Sequence, residues 1–127
     1  MDIHHLGIAT DDAEALGTRF EAVFGVPAVH TERFDGLEIR FLDVGGSYLE
    51  LLEPLEGGTV ARFLEQNGPG IHHVAFATPS IEEALSRAAA SGVDLIDEEP
   101  RPGAWGHEVA FLHPRSLGGV LVEFVEP

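Results

Sequence analysis

Apolar and polar residues along this chain switch between two spacings, and the switches recur. Alternation with period two predicts strands at residues 2–9, 26–33, 37–44, 47–54, 71–78, 94–98, 107–113 and 119–126. Between the first two, Ala13, Leu16, Phe20, Val23 and Phe24 stand at helical spacing. A helix is predicted over 11–24, with Asp11 and Glu14 in the positions of a capping box. A second helix opens at Ser80 with Glu83 three residues on, runs through Ala84, Leu85 and Ala88, and stops at Gly92. Residues 60–67 predict a short helix ended by Gly68-Pro69-Gly70.

These elements repeat. Ile3-His4-His5-Leu6-Gly7-Ile8-Ala9-Thr10 returns as Ile71-His72-His73-Val74-Ala75-Phe76-Ala77-Thr78, with five of the eight positions identical. Leu49-Glu50-Leu51-Leu52-Glu53-Pro54 returns as Val122-Glu123-Phe124-Val125-Glu126-Pro127. The expected fold class is therefore α+β, built from two tandem βαβββ modules. One domain over 1–127 is expected, with module one at about 1–58, a linking helix at about 59–67 and module two at about 70–127.

The repeat carries candidate chemistry. Neighbouring residues of a strand point to opposite faces, so each histidine pair divides. His5 shares its face with Gly7 and Ala9, and His73 with Ala75 and Ala77, which leaves room for a ligand. His4 and His72 share theirs with bulky residues and are assigned to packing or hydrogen bonding. Glu50 and Glu123 lie inside apolar runs, where a carboxylate without a partner is costly to bury. Either one alone is also compatible with a solvated sheet face. Their recurrence beside repeat-related histidines favours one divalent cation held by His5, Glu50, His73 and Glu123. Two imidazoles and two carboxylates suit Zn, Co, Ni, Mn or Fe better than Mg or Ca.

Composition narrows the partners. The 127 residues include no cysteine, which removes disulfides, thiolate ligands and cysteine nucleophiles. Acidic residues number 22 against 7 basic ones, all arginine, for a net charge of −15. Such a surface repels phosphate backbones, so nucleic-acid binding is not expected. The balance resembles proteins of high-salt cytoplasm, although arginine-biased codon usage would also remove lysine. No signal peptide or membrane span is read in the sequence, and a cytoplasmic location is expected.

The blocks His5-Leu6-Gly7-Ile8-Ala9, Glu50-Leu51-Leu52-Glu53-Pro54-Leu55, Gly70-Ile71-His72-His73-Val74-Ala75-Phe76, Asp97-Glu98-Glu99-Pro100-Arg101-Pro102-Gly103 and Phe111-Leu112-His113-Pro114-Arg115-Ser116 resemble the methylmalonyl-CoA epimerase family of the vicinal oxygen chelate superfamily. The resemblance runs nearly end to end. It implies a half-barrel around a metal site, with cobalt first among the metals, and a homodimer acting on an acyl-CoA. It also implies interconversion of (R)- and (S)-methylmalonyl-CoA by 1,1-proton transfer through a metal-stabilised enolate. Glu38 falls where that family has a catalytic glutamate, so Glu38 and Glu123 are the expected pair of proton carriers. Arg101 and Arg115 are the expected substrate contacts. Two departures stand out: Arg115 replaces the family's usual lysine, and Trp105 takes the place of a smaller or imidazole side chain. A glyoxalase I-type lactoylglutathione lyase and a non-catalytic small-molecule-binding module of the same superfamily are the competing readings. An extradiol dioxygenase would need two histidines and only one carboxylate around iron, so the fourth ligand argues against it.

Overall fold

The computed structural model describes all residues from Met1 to Pro127. Contacts divide the chain into two compact units, His5–His72 and Met1–His4 together with His73–Pro127. The first half runs β1 (Asp2–Ala9), α1 (Ala13–Phe24), β2 (Ala28–Phe34), β3 (Leu37–Val44), β4 (Ser47–Pro54) and α2 (Thr59–Asn67). Its strands lie in the order β2-β3-β4-β1, with β1 parallel to β4 and the other pairs antiparallel. The second half runs β5 (Gly70–Ala77), α3 (Ile81–Ala90), β6 (Arg101–Pro102), β7 (Glu108–Leu112) and β8 (Val122–Glu126), in the order β5-β8-β7-β6. Here β5 is parallel to β8 and the other pairs are antiparallel, so both halves are βαβββ modules with the same pairing.

Each helix covers one face of its own strands. In the first unit Ala13 packs on Leu42 and Leu51, with Ile8, Leu16, Phe20 and Leu49 around them. In the second, Ile81, Ala84 and Leu85 pack on Ala110, Leu112, Val122 and Phe124. Burying each large side chain stabilises the fold by roughly 1.5–3 kcal/mol relative to leaving it exposed. Because side chains alternate, these positions commit the intervening residues to the opposite face.

The helix starts explain a second repeated glutamate. The Ala13 N–H donates to Glu53 Oε1 at 2.8 Å, and the Ile81 N–H donates to Glu126 Oε1 at 2.9 Å. A carboxylate from the last strand of each module thus satisfies an otherwise orphaned N–H at a positive helix end. Asp12 is the N-cap of α1, accepting from the Ala15 N–H at 3.0 Å, so the helix begins two residues later than predicted and Asp11 does not cap it. Ser80 caps α3 as expected, accepting from the Glu83 N–H at 3.2 Å. At the far end of α1, Gly25 at φ 70° donates to the Glu21 carbonyl, a left-handed closure that favours glycine.

Two predicted strands differ. Residues 94–98 form no strand beyond a Leu95–Leu112 bridge, and the edge strand is Arg101–Pro102. The reason is Asp97, whose Oδ2 accepts the Phe111 N–H at 2.9 Å and so occupies a backbone donor that a regular ladder would use. Pro100 and Pro102 further remove donors from this edge. The last strand begins at Val122 rather than 119, because Gly118 and Gly119, at φ 68° and 86°, turn the chain first.

Replacing Glu53 or Glu126 with Ala is expected to cost about 1 kcal/mol of stability, as loss of a helix cap does. Urea denaturation measures it, and bound metal per folded chain should be unchanged.

Candidate metal and active site

The face of each module turned away from its helix carries the repeated histidine and glutamate. On β4, Leu49, Leu51 and Glu53 face α1, which leaves Glu50 on the other side with His5 of β1. His5 Nε2 lies 3.2 Å from Glu50 Oε1. In the second unit, His73 Nε2 lies 3.4 Å from Glu123 Oε1. All four residues are only 4–6% exposed. Gly7 and Ala9 beside His5, and Ala75 and Ala77 beside His73, bring no bulk to the same face.

An aromatic wall repeats as well. The Phe41 ring meets the His5 ring edge-on at 5.8 Å, and Phe111 meets His73 edge-on at 5.8 Å. Phe41 is the cross-strand partner of Glu50, as Phe111 is of Glu123. Sequence reasoning missed these rings, yet the signal was present: Phe41-Leu42 and Phe111-Leu112 recur in the strand preceding each glutamate strand. An aromatic ring beside a carboxylate excludes water and strengthens that carboxylate's interaction with a cation.

The donor set fits a divalent metal of borderline hardness. Each pair offers an imidazole nitrogen and a carboxylate oxygen, the donor types that such a metal takes. His4 instead meets His107 edge-on at 5.2 Å, and His72 meets Phe63 of α2 edge-on at 5.0 Å. Trp105, at φ 60°, stacks on His107 at 5.8 Å between ring centroids.

The other expected residues separate. Arg101 donates through Nε to Asp97 Oδ1 at 3.1 Å, and its guanidinium sits 5.3 Å from the Phe111 ring centroid. It is therefore one side chain away from His73. Arg115 lies in the short helical turn Pro114–Ser116 and donates through Nε to Asp94 Oδ2 at 2.8 Å. That hydrogen bond, with the guanidinium charge, holds the Asp94 carboxyl below the usual carboxylate range.

Glu38 requires a correction. It shares its strand face with Arg40 and Leu42, the face that α1 covers, while Ile39 and Phe41 point the other way. Its Oε2 accepts from Arg33 Nε at 2.9 Å, its antiparallel neighbours are Arg33 and Glu53, and Arg40 beside it bonds Glu14 of α1. A carboxylate on the helix side of β3 points away from the side of His5 and Glu50. The sequence resemblance brought a glutamate to within one position of that face, and in a strand one position reverses the face.

The chain belongs to the Glyoxalase/Bleomycin resistance protein/Dioxygenase superfamily, whose family model matches residues 4–111. Its βαβββ modules have the fold of that superfamily's epimerases. It is 38% identical to the uncharacterized protein YqjC of Bacillus subtilis, over 98% of this chain and 91% of that one. It is 36% identical to the ethylmalonyl-CoA/methylmalonyl-CoA epimerase of Cereibacter sphaeroides, over 95% of this chain and 94% of that one. Among solved structures, a variant of Streptomyces coelicolor methylmalonyl-CoA epimerase in complex with 2-nitronate-propionyl-CoA superposes with a TM-score of 0.94. That match has 36% identity over 99% of this chain and 94% of that chain. No helix is long and apolar enough to cross a membrane.

Replacing His5 or His73 with Ala should strip bound divalent metal from the folded protein. Replacing His4 or His72 should leave it bound and change only the melting temperature. Metal analysis of the purified variants beside their melting curves checks both.

Proposed function

We propose that this protein is a metal-dependent acyl-CoA epimerase that interconverts (R)- and (S)-methylmalonyl-CoA. The observation that carries the reading is the twofold His–Glu–Phe arrangement, His5-Glu50-Phe41 and His73-Glu123-Phe111, in a chain related end to end to epimerases of this substrate class.

The substrate's α-proton lies between a thioester and a carboxylate, so its removal spreads negative charge over both oxygens. His5, Glu50, His73 and Glu123 would hold one divalent cation, cobalt first among the candidates. When bound, the cation supplies Lewis-acid stabilisation of that developing charge. Phe41 and Phe111 keep water from the buried carboxylates, so that charge is not screened away. Glu123 serves as one proton carrier, taking the α-proton on one face of the planar carbon. Arg101 would pair with an anionic group of the substrate, and its position over Phe111 supports that role. Arg115 stands in an exposed turn and suits the distal phosphates of the CoA tail. The working form is a homodimer.

Incubated in D₂O with metal and a single epimer of methylmalonyl-CoA, the protein should produce the other epimer with deuterium at the α-carbon. The methylglyoxal–glutathione adduct should not be turned over. Conversion of the adduct without exchange of the CoA ester would assign a lyase instead.

A further inference from the structure

Strand register brings an arginine to the face of the second unit that carries His73 and Glu123. On β7, Ala110 and Leu112 pack under α3, so Val109 and Phe111 face the other way with Ala75 and Val125. Phe111 is paired with Glu123, and Arg101 of β6 is paired with Val109. Paired residues share a face, so Arg101 stands on the side of Glu123 and His73. Its guanidinium sits 5.3 Å from the Phe111 ring centroid, and the His73 ring meets that same Phe111 edge-on at 5.8 Å. The other two arginines of residues 73–127 lie elsewhere, Arg87 in the last turn of α3 and Arg115 in the Pro114–Ser116 turn.

Asp97 holds Arg101 in place. Its Oδ2 accepts the Phe111 N–H at 2.9 Å while its own N–H donates to the Phe111 carbonyl at 3.1 Å, so residue 97 is clamped to the main chain of β7 at two points. The remaining oxygen, Oδ1, accepts from Arg101 Nε at 3.1 Å. Only that edge of the guanidinium is used. The two terminal Nη groups have no hydrogen-bond or ion-pair partner in the chain, and the Arg101 side chain is 48% exposed against 17% for Asp97. Pro100 and Pro102 flank Arg101, and a residue before proline is held extended, which removes backbone freedom there.

We propose that Arg101, positioned by Asp97, reads the carboxylate of the acyl group and so selects CoA esters of malonyl type over those of simple monocarboxylic acids. This rests on the epimerase reading above. The unpaired Nη groups form the planar fork that binds a carboxylate through two parallel hydrogen bonds. The face around them is apolar, formed by Ala75, Val109, Val125 and Phe111, where a carboxylate without a partner is costly to place. In a malonyl-type ester the carboxylate is bonded to the reacting carbon, whereas the CoA phosphates lie the length of the pantetheine arm away. A cation separated from His73 by one ring therefore meets the carboxylate and not the phosphates. Holding the guanidinium over Phe111 before the ligand arrives lowers the ordering cost of binding.

The test is calorimetric titration of metal-loaded protein with malonyl-CoA and with propionyl-CoA, which differ in that carboxylate and share every phosphate. Wild type, Arg101→Gln, Asp97→Asn, the double variant and Arg87→Gln are compared, each beside its melting curve. Arg101→Gln should bind malonyl-CoA about tenfold more weakly, the lower range for a charge-assisted pair because the side chain is half exposed. Its affinity for propionyl-CoA should stay at the wild-type value. Asp97→Asn keeps an oxygen for the Phe111 N–H and loses its hold on Arg101, so it should weaken malonyl-CoA about threefold and leave propionyl-CoA unchanged. The sign separates positioning from charge, because removing a negative charge beside the ligand would by itself tighten an anion. The double variant should bind malonyl-CoA no more weakly than Arg101→Gln alone, as expected when one residue acts through the other. Arg87→Gln should match wild type with both esters. Equal losses on the two esters in Arg101→Gln would assign it to the phosphates and overturn the proposal. Unchanged or tighter malonyl-CoA binding in Asp97→Asn would overturn the positioning role. Wild type that binds neither ester and does not interconvert methylmalonyl-CoA would refute the underlying epimerase reading, and the proposal with it.

Discussion

The structure depends on what is done with four carboxylates that the repeat places in apolar strands. Two of them, Glu50 and Glu123, are buried against histidines on the open face of their modules. The other two, Glu53 and Glu126, come three positions later on the opposite face and bind the first N–H of the helix there. Burial of a carboxylate without a partner would cost several kcal/mol. One face answers that cost with imidazoles suited to a cation, and the other with a helix terminus. The same short motif therefore builds the site and anchors the helix that shields the core.

Strand alternation governs the rest. Once Leu42 and Leu51 are committed to α1, Phe41 and Glu50 must face away from it, and so must His30 and Glu32 across the hairpin. The same rule excludes Glu38, which stands among Arg33, Arg40 and Glu53 on the helix side. A chemically suitable residue is thus turned to the helix side by one step of register.

Much of this was legible in the sequence because it was written twice. The paired histidines, the Leu-Glu and Val-Glu strands and the Ser80 cap each had a counterpart or a local signature, and the βαβββ modules followed. Glu38 was misread because a sequence motif fixes the residue type near a position but not which face that position takes when the hairpin closes. The roles of Glu53 and Glu126 were hidden since the N–H groups they bind lie far away along the chain. Strand 94–98 failed for a related reason: its alternation was sound, but the Asp97 side chain captured the Phe111 donor. Phe41 and Phe111 read as ordinary core residues, and only their position beside His5 and His73 gives them a part in the site.

The central claim, that the two repeat-related His–Glu pairs serve a single cation, is tested most directly by metal stoichiometry. Calorimetric titration of metal-free protein with Co²⁺ or Zn²⁺ should give one tight site per chain, and Glu50→Ala and Glu123→Ala should each weaken that same site. Two independent sites per chain, each abolished by a substitution in its own module and untouched by the other, would contradict the account.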